Sequence, residues 1–262
     1  MKLSLQGKRA MVCGSSQGIG WASAKLLAEM GAEVCLVARS ENKLKQNIDL
    51  LDNSSAQNHH YLVADFSSPQ GLKTALESHL SKEEPYHILV NNTGGPPAGP
   101  AHSADLEEYL NAFNQHLACN HILVQALLPG MKGFGEGRIV NVISTSVKMP
   151  LKGLGVSNTI RGAVANWSKT LANELGAFNI TVNNVLPVAT ETGRLTSIIE
   201  NKAKKMGVSK EDAAAFMLAE VPLKRFAQPK EVANAVAFLC SDEAAYISGI
   251  NIPVDGGRTG CL

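Results

Sequence analysis

Aromatic residues are scarce in this chain: Phe, Trp and Tyr occupy 5% of its 262 positions. So few rings argue against the stacking platforms that single-stranded nucleic acids need. An excess of charge is missing too, because 24 Lys and Arg stand against 23 Asp and Glu, a net +1. Without a basic balance there is no electrostatic footprint for nucleic acid or for an anionic membrane surface. No apolar run reaches the roughly 18 residues of a spanning helix, and residues 1–20 lack the unbroken apolar stretch of a signal peptide. Cysteine is sparse: Cys13, Cys35, Cys119, Cys240 and Cys261 are odd in number, far apart and form no CxxC pair. That pattern excludes a disulfide framework and predicts reduced, mostly buried thiols in a cytoplasmic protein.

What is present is the material of a folded core. Apolar residues make up 45% and charged residues 18%, with 23 glycines for tight turns and close approaches. Short β-rich runs at 9–13, 33–38, 60–65, 87–91, 137–144, 180–187 and 250–254 alternate with helical spacing at 18–30, 41–53, 69–81, 105–131, 157–178 and 229–241. This alternation predicts an α/β fold: a single Rossmann-type, doubly wound domain over residues 1–262, with a mostly parallel seven-stranded sheet. No linker, repeat or low-complexity tract divides it. Residues 191–222 break the rhythm with a charged helical excursion of the kind that covers sites in α/β proteins.

Gly14, Gly18 and Gly20 lie in the run Cys-Gly-Ser-Ser-Gln-Gly-Ile-Gly, after the first strand and at the start of the first helix. In that context glycines let the backbone approach a pyrophosphate at a helix N-terminus. The second strand ends Leu-Val-Ala-Arg39-Ser40, with no acid for a ribose hydroxyl. Arg39 suits a 2′-phosphate, which favours NADP(H) over NAD(H). An ordinary glycine turn and a solvated arginine are the plainer readings.

Gly14–Gly20, Asp65, the run Asn91-Asn92-Thr93-Gly94, Ser144, Pro187 and Val254-Asp255-Gly256-Gly257 stand in an order and spacing that resembles the short-chain dehydrogenase/reductase family. The resemblance covers essentially the whole chain and is nearest to the 3-oxoacyl-acyl-carrier-protein reductase-like members. It implies cofactor contacts from Gly14, Ser16, Gln17, Gly18, Ile19, Gly20 and Arg39. It further implies Asp65 and Phe66 at the adenine, Asn92 and Gly94 at the adenosine ribose, and Pro187, Thr190 and Thr192 near the nicotinamide. Asn91, Asn92 and 254–257 also read as purely structural strand ends. The resemblance implies a homotetramer or homodimer as well, built on the helices around 105–130 and 157–178.

The family's reaction uses a Ser, a Tyr as proton donor, a Lys that binds ribose and lowers the Tyr pKa, and an Asn on the preceding long helix. Ser144 matches the serine. The tyrosine and lysine positions, 13 and 17 residues on, hold Ser157 and Arg161. Asn183, 26 residues after Ser157, fits the next family strand, so the tyrosine is replaced rather than displaced. The asparagine position holds His116, and the glycine after Pro187 is Val188. Tyr109 and Tyr246 are the tyrosines left to approach in space.

An aliphatic hydroxyl is a far weaker acid than a phenol, and Arg161 is permanently charged, so neither replaces the proton donor. Arg161 can still donate to ribose hydroxyls and set positive charge beside an oxyanion. Lys148, Lys152 and His116 are candidate donors, each with a plainer reading as a loop lysine or a packed histidine; Ser146 is a further hydroxyl. The expected function is NADP(H)-dependent reduction of a small-molecule carbonyl or acyl thioester by a site of Ser144, Ser157 and Arg161. The alternative is a non-catalytic NADP(H)-binding sensor or partner subunit. Substrate choice is expected to lie in 95–102, 147–156 and 190–222, with Lys202, Lys204 and Lys205 as candidate contacts to a carrier protein.

Overall fold

A computed structural model describes residues 3–261. Seven strands, β1 (Arg9–Cys13), β2 (Glu33–Ala38), β3 (His60–Val63), β4 (Ile88–Asn91), β5 (Gly137–Val142), β6 (Ile180–Pro187) and β7 (Asn251–Val254), form one sheet in the order β3-β2-β1-β4-β5-β6-β7. All six pairings are parallel. The helices are α1 (Gly18–Glu29), α2 (Glu41–Ile48), α3 (Pro69–Leu80), α4 (Leu106–Phe113), α5 (Cys119–Phe134), α6 (Gly155–Leu175), α7 (Gly193–Met206), α8 (Lys210–Ala219) and α9 (Pro229–Cys240).

Strand periodicity sorts the core into two layers. Ala10, Val12, Val34, Leu36 and Val140 face one side, where Leu27, Leu44, Val232 and Val236 from α1, α2 and α9 cover them. Met11, Cys13, Cys35, Val37 and Ile139 face the other, under Leu72, Leu123, Leu127, Leu171 and Leu175 from α3, α5 and α6. A sheet covered on both faces favours apolar residues at most positions of its central strands, which is why those strands read as near-continuous runs. The strand order switches sides between β1 and β4, so a crevice opens at their carboxyl ends.

Element ends follow local chemistry. Ser68 accepts the Gly71 N–H at 3.2 Å, with Pro69 at the first helical position of α3. α5 closes at Gly135 with φ 68°, the left-handed conformation glycine adopts freely. α2 stops at Ile48, short of the expected 53, because Asp52 takes the Ser54 N–H at 2.8 Å and turns the chain. The helix expected over 105–131 is broken: Asn114–Ala118 is a π-helical turn, closed by the Cys119 N–H on the Asn114 carbonyl. The excursion at 191–222 is helical as expected, forming α7 and α8.

Four cysteines are buried thiols and Cys261 is exposed. Among the described residues no helix is long and apolar enough to cross a membrane.

Candidate active site

The glycine turn joins β1 to α1 and is built by exclusion. Gly14 and Gly18 have φ of 60° and 63°, where side chains are strained. A Cβ on Gly14 would lie 2.5 Å from the Asn92 carbonyl oxygen, and one on Gly20 would lie 2.3 Å from the Gly14 carbonyl oxygen. The turn is braced from three directions. Ser15 Oγ accepts the Val37 N–H at 2.9 Å, Asn47 Nδ2 donates to the Ser15 and Ser16 carbonyls at 3.2 Å each, and Asn92 Nδ2 donates to Cys13 and Gly14. Ser15 stands within the glycine run, whereas Asn47 belongs to no motif and carries no local sequence signal. Gln17 is the N-cap of α1, and Ile19 packs on the core beneath the turn.

Arg39 stands exposed at the end of β2. Asp65 is exposed beyond β3, and its carboxyl is held below the usual range first by the Ser67 N–H and also by the nearby Arg39. Phe66 is buried, its carbonyl facing the Cys119 thiol at 3.3 Å. Gly94 is exposed, with open space where a Cβ would sit.

Asn91 is structural. Its Nδ2 donates to Asn141 Oδ1 at 2.8 Å, Asn141 Nδ2 donates to Asn184 Oδ1 at 3.1 Å, and Asn184 Nδ2 donates to Asn251 Oδ1 at 2.8 Å. These four asparagines are register partners on β4, β5, β6 and β7. Asp255 is likewise a turn residue, accepting the Gly257 and Thr259 N–H groups.

Ser144 follows β5 and accepts the Ser146 N–H at 3.1 Å. Ser157 and Arg161 share one face of α6 as i and i+4. Ser157 is half-buried. Arg161 is 7% exposed and donates Nη1 to the Val142 carbonyl at 3.0 Å, two residues before Ser144. Burial and then the Arg194 charge lower its pKa to about 10, so it stays charged at neutral pH.

His116 is 1% exposed and shares a 2.6 Å hydrogen bond between Nδ1 and the Thr93 hydroxyl. Desolvation, then Arg161 and Arg194, push its pKa down to about 2. It is neutral and packed, which favours the plainer reading over a proton donor. Lys152 is exposed, and Lys148 is half-buried with Cys261 Sγ 3.7 Å from its carbonyl oxygen. Ser146 is buried, and its hydroxyl lacks a partner. Of the candidate tyrosines, Tyr246 is fully exposed, while Tyr109 packs against Val156 and Ile160 of α6 and its hydroxyl donates to the Ala101 carbonyl at 3.4 Å.

The three expected substrate segments converge. Gly155 N–H donates to the Gly99 carbonyl at 2.9 Å, and Gly99 bridges Leu154. Arg194, at the start of α7, donates Nη2 to the Pro96 carbonyl at 2.6 Å. Sequence reading missed Arg194, because a lone arginine in a variable excursion carries no motif. Thr192 closes the opposite edge: its Cγ2 lies 3.1 Å from where a Cβ on Gly18 would sit. The hydroxyls of Thr190 and Thr192 turn back onto the Val188 and Thr190 carbonyls. Pro187 ends β6, opposite Val254. Lys204 and Lys205 are exposed on α7.

Residues 14–259 match the family described as enoyl-(acyl carrier protein) reductase. A 3-oxoacyl-[acyl-carrier-protein] reductase of Vibrio cholerae is 33% identical over 256 residues, covering 97% of this chain and 98% of that protein. L-sorbose reductase from Gluconobacter frateurii, solved with NADPH and L-sorbose, superimposes with a TM-score of 0.92 at 32% identity, over all of both chains. YwfH, an NADPH-dependent reductase involved in bacilysin biosynthesis, gives 0.90 at 26% identity, over 97% of this chain and 99% of that one.

Proposed function

The chain belongs to the short-chain dehydrogenase/reductase family of oxidoreductases, and we propose that it reduces a carbonyl group to an alcohol with NADPH, using Ser144, Ser157 and Arg161. The observation that carries the cofactor half is the glycine turn, whose close approaches leave no room for a Cβ at Gly14 or Gly20. The turn leaves backbone N–H groups at the N-terminus of α1 for a pyrophosphate. Arg39 then takes the 2′-phosphate, a charge-assisted contact that an acid at the same place would repel. NADPH-bound and NADPH-dependent relatives support the same nucleotide.

When bound, the nicotinamide supplies the hydride. The hydroxyls of Ser144 and Ser157 hold the carbonyl oxygen, and Arg161 sets fixed positive charge beside it as negative charge grows. Arg161 also donates to the ribose hydroxyls. Water or a lysine delivers the proton, since His116 is neutral. Loss of a positioned general acid slows such a reaction by a factor of ~10²–10⁴. A 3-oxoacyl thioester is one candidate substrate, supported by the relative from Vibrio cholerae.

A homo-oligomer belongs to the same reading. Leu106, Leu110 and Phe113 are exposed at i, i+4 and i+7 on α4, an apolar stripe that a second copy would cover.

A second reading, a non-catalytic NADP(H)-binding protein, is favoured by one observation: His116, one of the candidate proton donors, is neutral and packed. One experiment separates the two. NADPH oxidation is followed over a carbonyl panel that includes an acetoacetyl thioester, with nucleotide binding measured by fluorescence in the same sample. Turnover supports the reductase; tight binding with no turnover anywhere in the panel supports the binder; absence of nucleotide binding sinks both. The Ser157→Tyr/Arg161→Lys protein is the companion sample. If it creates activity from none, the native chain is a binder.

A further inference from the structure

Two guanidinium groups, those of Arg161 and Arg194, lie close enough on the substrate side of the cleft for the charge of one to act on the other. Arg161 is buried on the cleft floor, with one N–H spent on the Val142 carbonyl. Arg194 reaches over its mouth from α7 to the Pro96 carbonyl, and its Nη2 lies 3.3 Å from where a Cβ on Gly95 would sit. Neither arginine forms an ion pair among the described residues. Arg194 is the charged group that acts on Arg161, and no carboxylate offsets it. His116 feels both cations, and its buried Nε2 has no hydrogen-bond partner.

A buried cation without a counter-charge is costly, and a second cation nearby adds repulsion. Folded proteins keep such an arrangement where a ligand supplies the missing charge. The nucleotide's own anionic groups have other partners: the glycine turn for the pyrophosphate and Arg39 for the 2′-phosphate. Ribose hydroxyls at Arg161 are neutral. The guanidinium of Arg194, at the mouth and held only by a carbonyl oxygen, matches the planar two-oxygen geometry of a carboxylate.

We propose that the substrate is a carbonyl compound bearing a carboxylate, and that Arg194, with Arg161 behind it, binds that carboxylate. The proposal rests on the reductase reading and narrows its substrate class to keto acids rather than neutral thioesters. On binding, the Arg194 guanidinium exchanges the Pro96 carbonyl for the ligand's oxygens, which makes Arg194 a specificity residue.

The test is calorimetric binding to the NADP+-saturated protein. Levulinate and acetoacetate are titrated beside their neutral methyl esters, in wild type, Arg194→Gln and Arg194→Lys. At least one acid is expected to bind about tenfold or more tighter than its ester. Arg194 is exposed, so Arg194→Gln is expected to weaken that acid about fivefold, the upper range for a solvent-exposed ion pair, and Arg194→Lys to recover part of it. Ester and NADP+ affinities are expected to stay level across the variants. Three results overturn the proposal: esters that bind as tightly as the acids, an Arg194→Gln protein whose acid affinity is unchanged, or a loss of NADP+ affinity in its place. Absence of acid binding while NADP+ binds also overturns it and leaves the reductase reading standing. The same titrations without nucleotide separate the two ideas further: acids that bind through Arg194 in a protein that does not bind NADP+ sink the reductase reading alone.

Discussion

The Thr93 hydroxyl and Nδ1 of His116 share a 2.6 Å hydrogen bond between the loop after β4 and the π-helical turn that separates α4 from α5. π-turns are rare and collect at functional sites. This one turns a histidine inward at the position where the family resemblance expects an asparagine. The ring is thereby packed against Thr93 and left in the field of two arginines.

Acid stability depends on this ring. The folded pKa of His116 is about 2, against an ordinary value of 6.5. Between those values the unfolded chain carries a proton that the native state does not. Stability is therefore complete above about pH 6.5 and falls as pH drops toward 2, by up to about 1.4 kcal/mol per pH unit. His79 and His87, also lowered chiefly by desolvation, add in the same direction. His116→Asn is expected to flatten the acid limb of a urea-denaturation series without abolishing it. An unchanged slope would refute the assignment.

The glycine turn has no spare volume. Gly20→Ala places a methyl 2.3 Å from the Gly14 carbonyl oxygen and 2.7 Å from Asn92 Nδ2. Because the first neighbour is backbone, the turn itself must shift. The expected cost is about 1–3 kcal/mol of stability, together with loss of NADPH affinity. Thermal melting and NADPH fluorescence titration read the two effects separately.

Arg39 sets nucleotide choice in the proposed reading. Arg39→Asp removes a charge-assisted contact of about 1.5–3 kcal/mol to a 2′-phosphate and substitutes an acceptor for a ribose hydroxyl. NADPH affinity is expected to fall while NADH affinity rises. Paired titrations of the two nucleotides check this, and equal NADPH affinity in both proteins rules the contact out.

The asparagine row through the sheet is a stability element. Asn141 is fully buried and links Asn91, Asn184 and Ser168. Asn141→Ala leaves several buried polar groups unpaired and is expected to cost about 3 kcal/mol in chemical denaturation. A loss below about 1 kcal/mol would mean that water or rearranged partners take over.

Sequence alone determined the sheet. Near-continuous apolar runs revealed the strands, because a central parallel strand covered on both faces shows little of the polar alternation of a half-exposed one. Gly14, Gly18 and Gly20 were legible for a similar reason, since a backbone that must pass close to another chain admits only one residue type. The spacing that puts Ser157 13 residues after Ser144 is itself read from the sequence, and the proposed tyrosine replacement rests on it. Tertiary structure decided what spacing does not encode. The π-turn at Asn114–Ala118 inserts one residue into a helical pattern whose period it barely disturbs. The row from Asn91 to Asn251 depends on strand register across the sheet, over 160 positions of chain. Arg194 lies 98 residues from Pro96 and 33 from Arg161, and no local pattern connects them. Only the packing of α7 over the carboxyl ends of the strands brings these charges to one cleft, where long-range electrostatics rather than sequence proximity sets their chemistry.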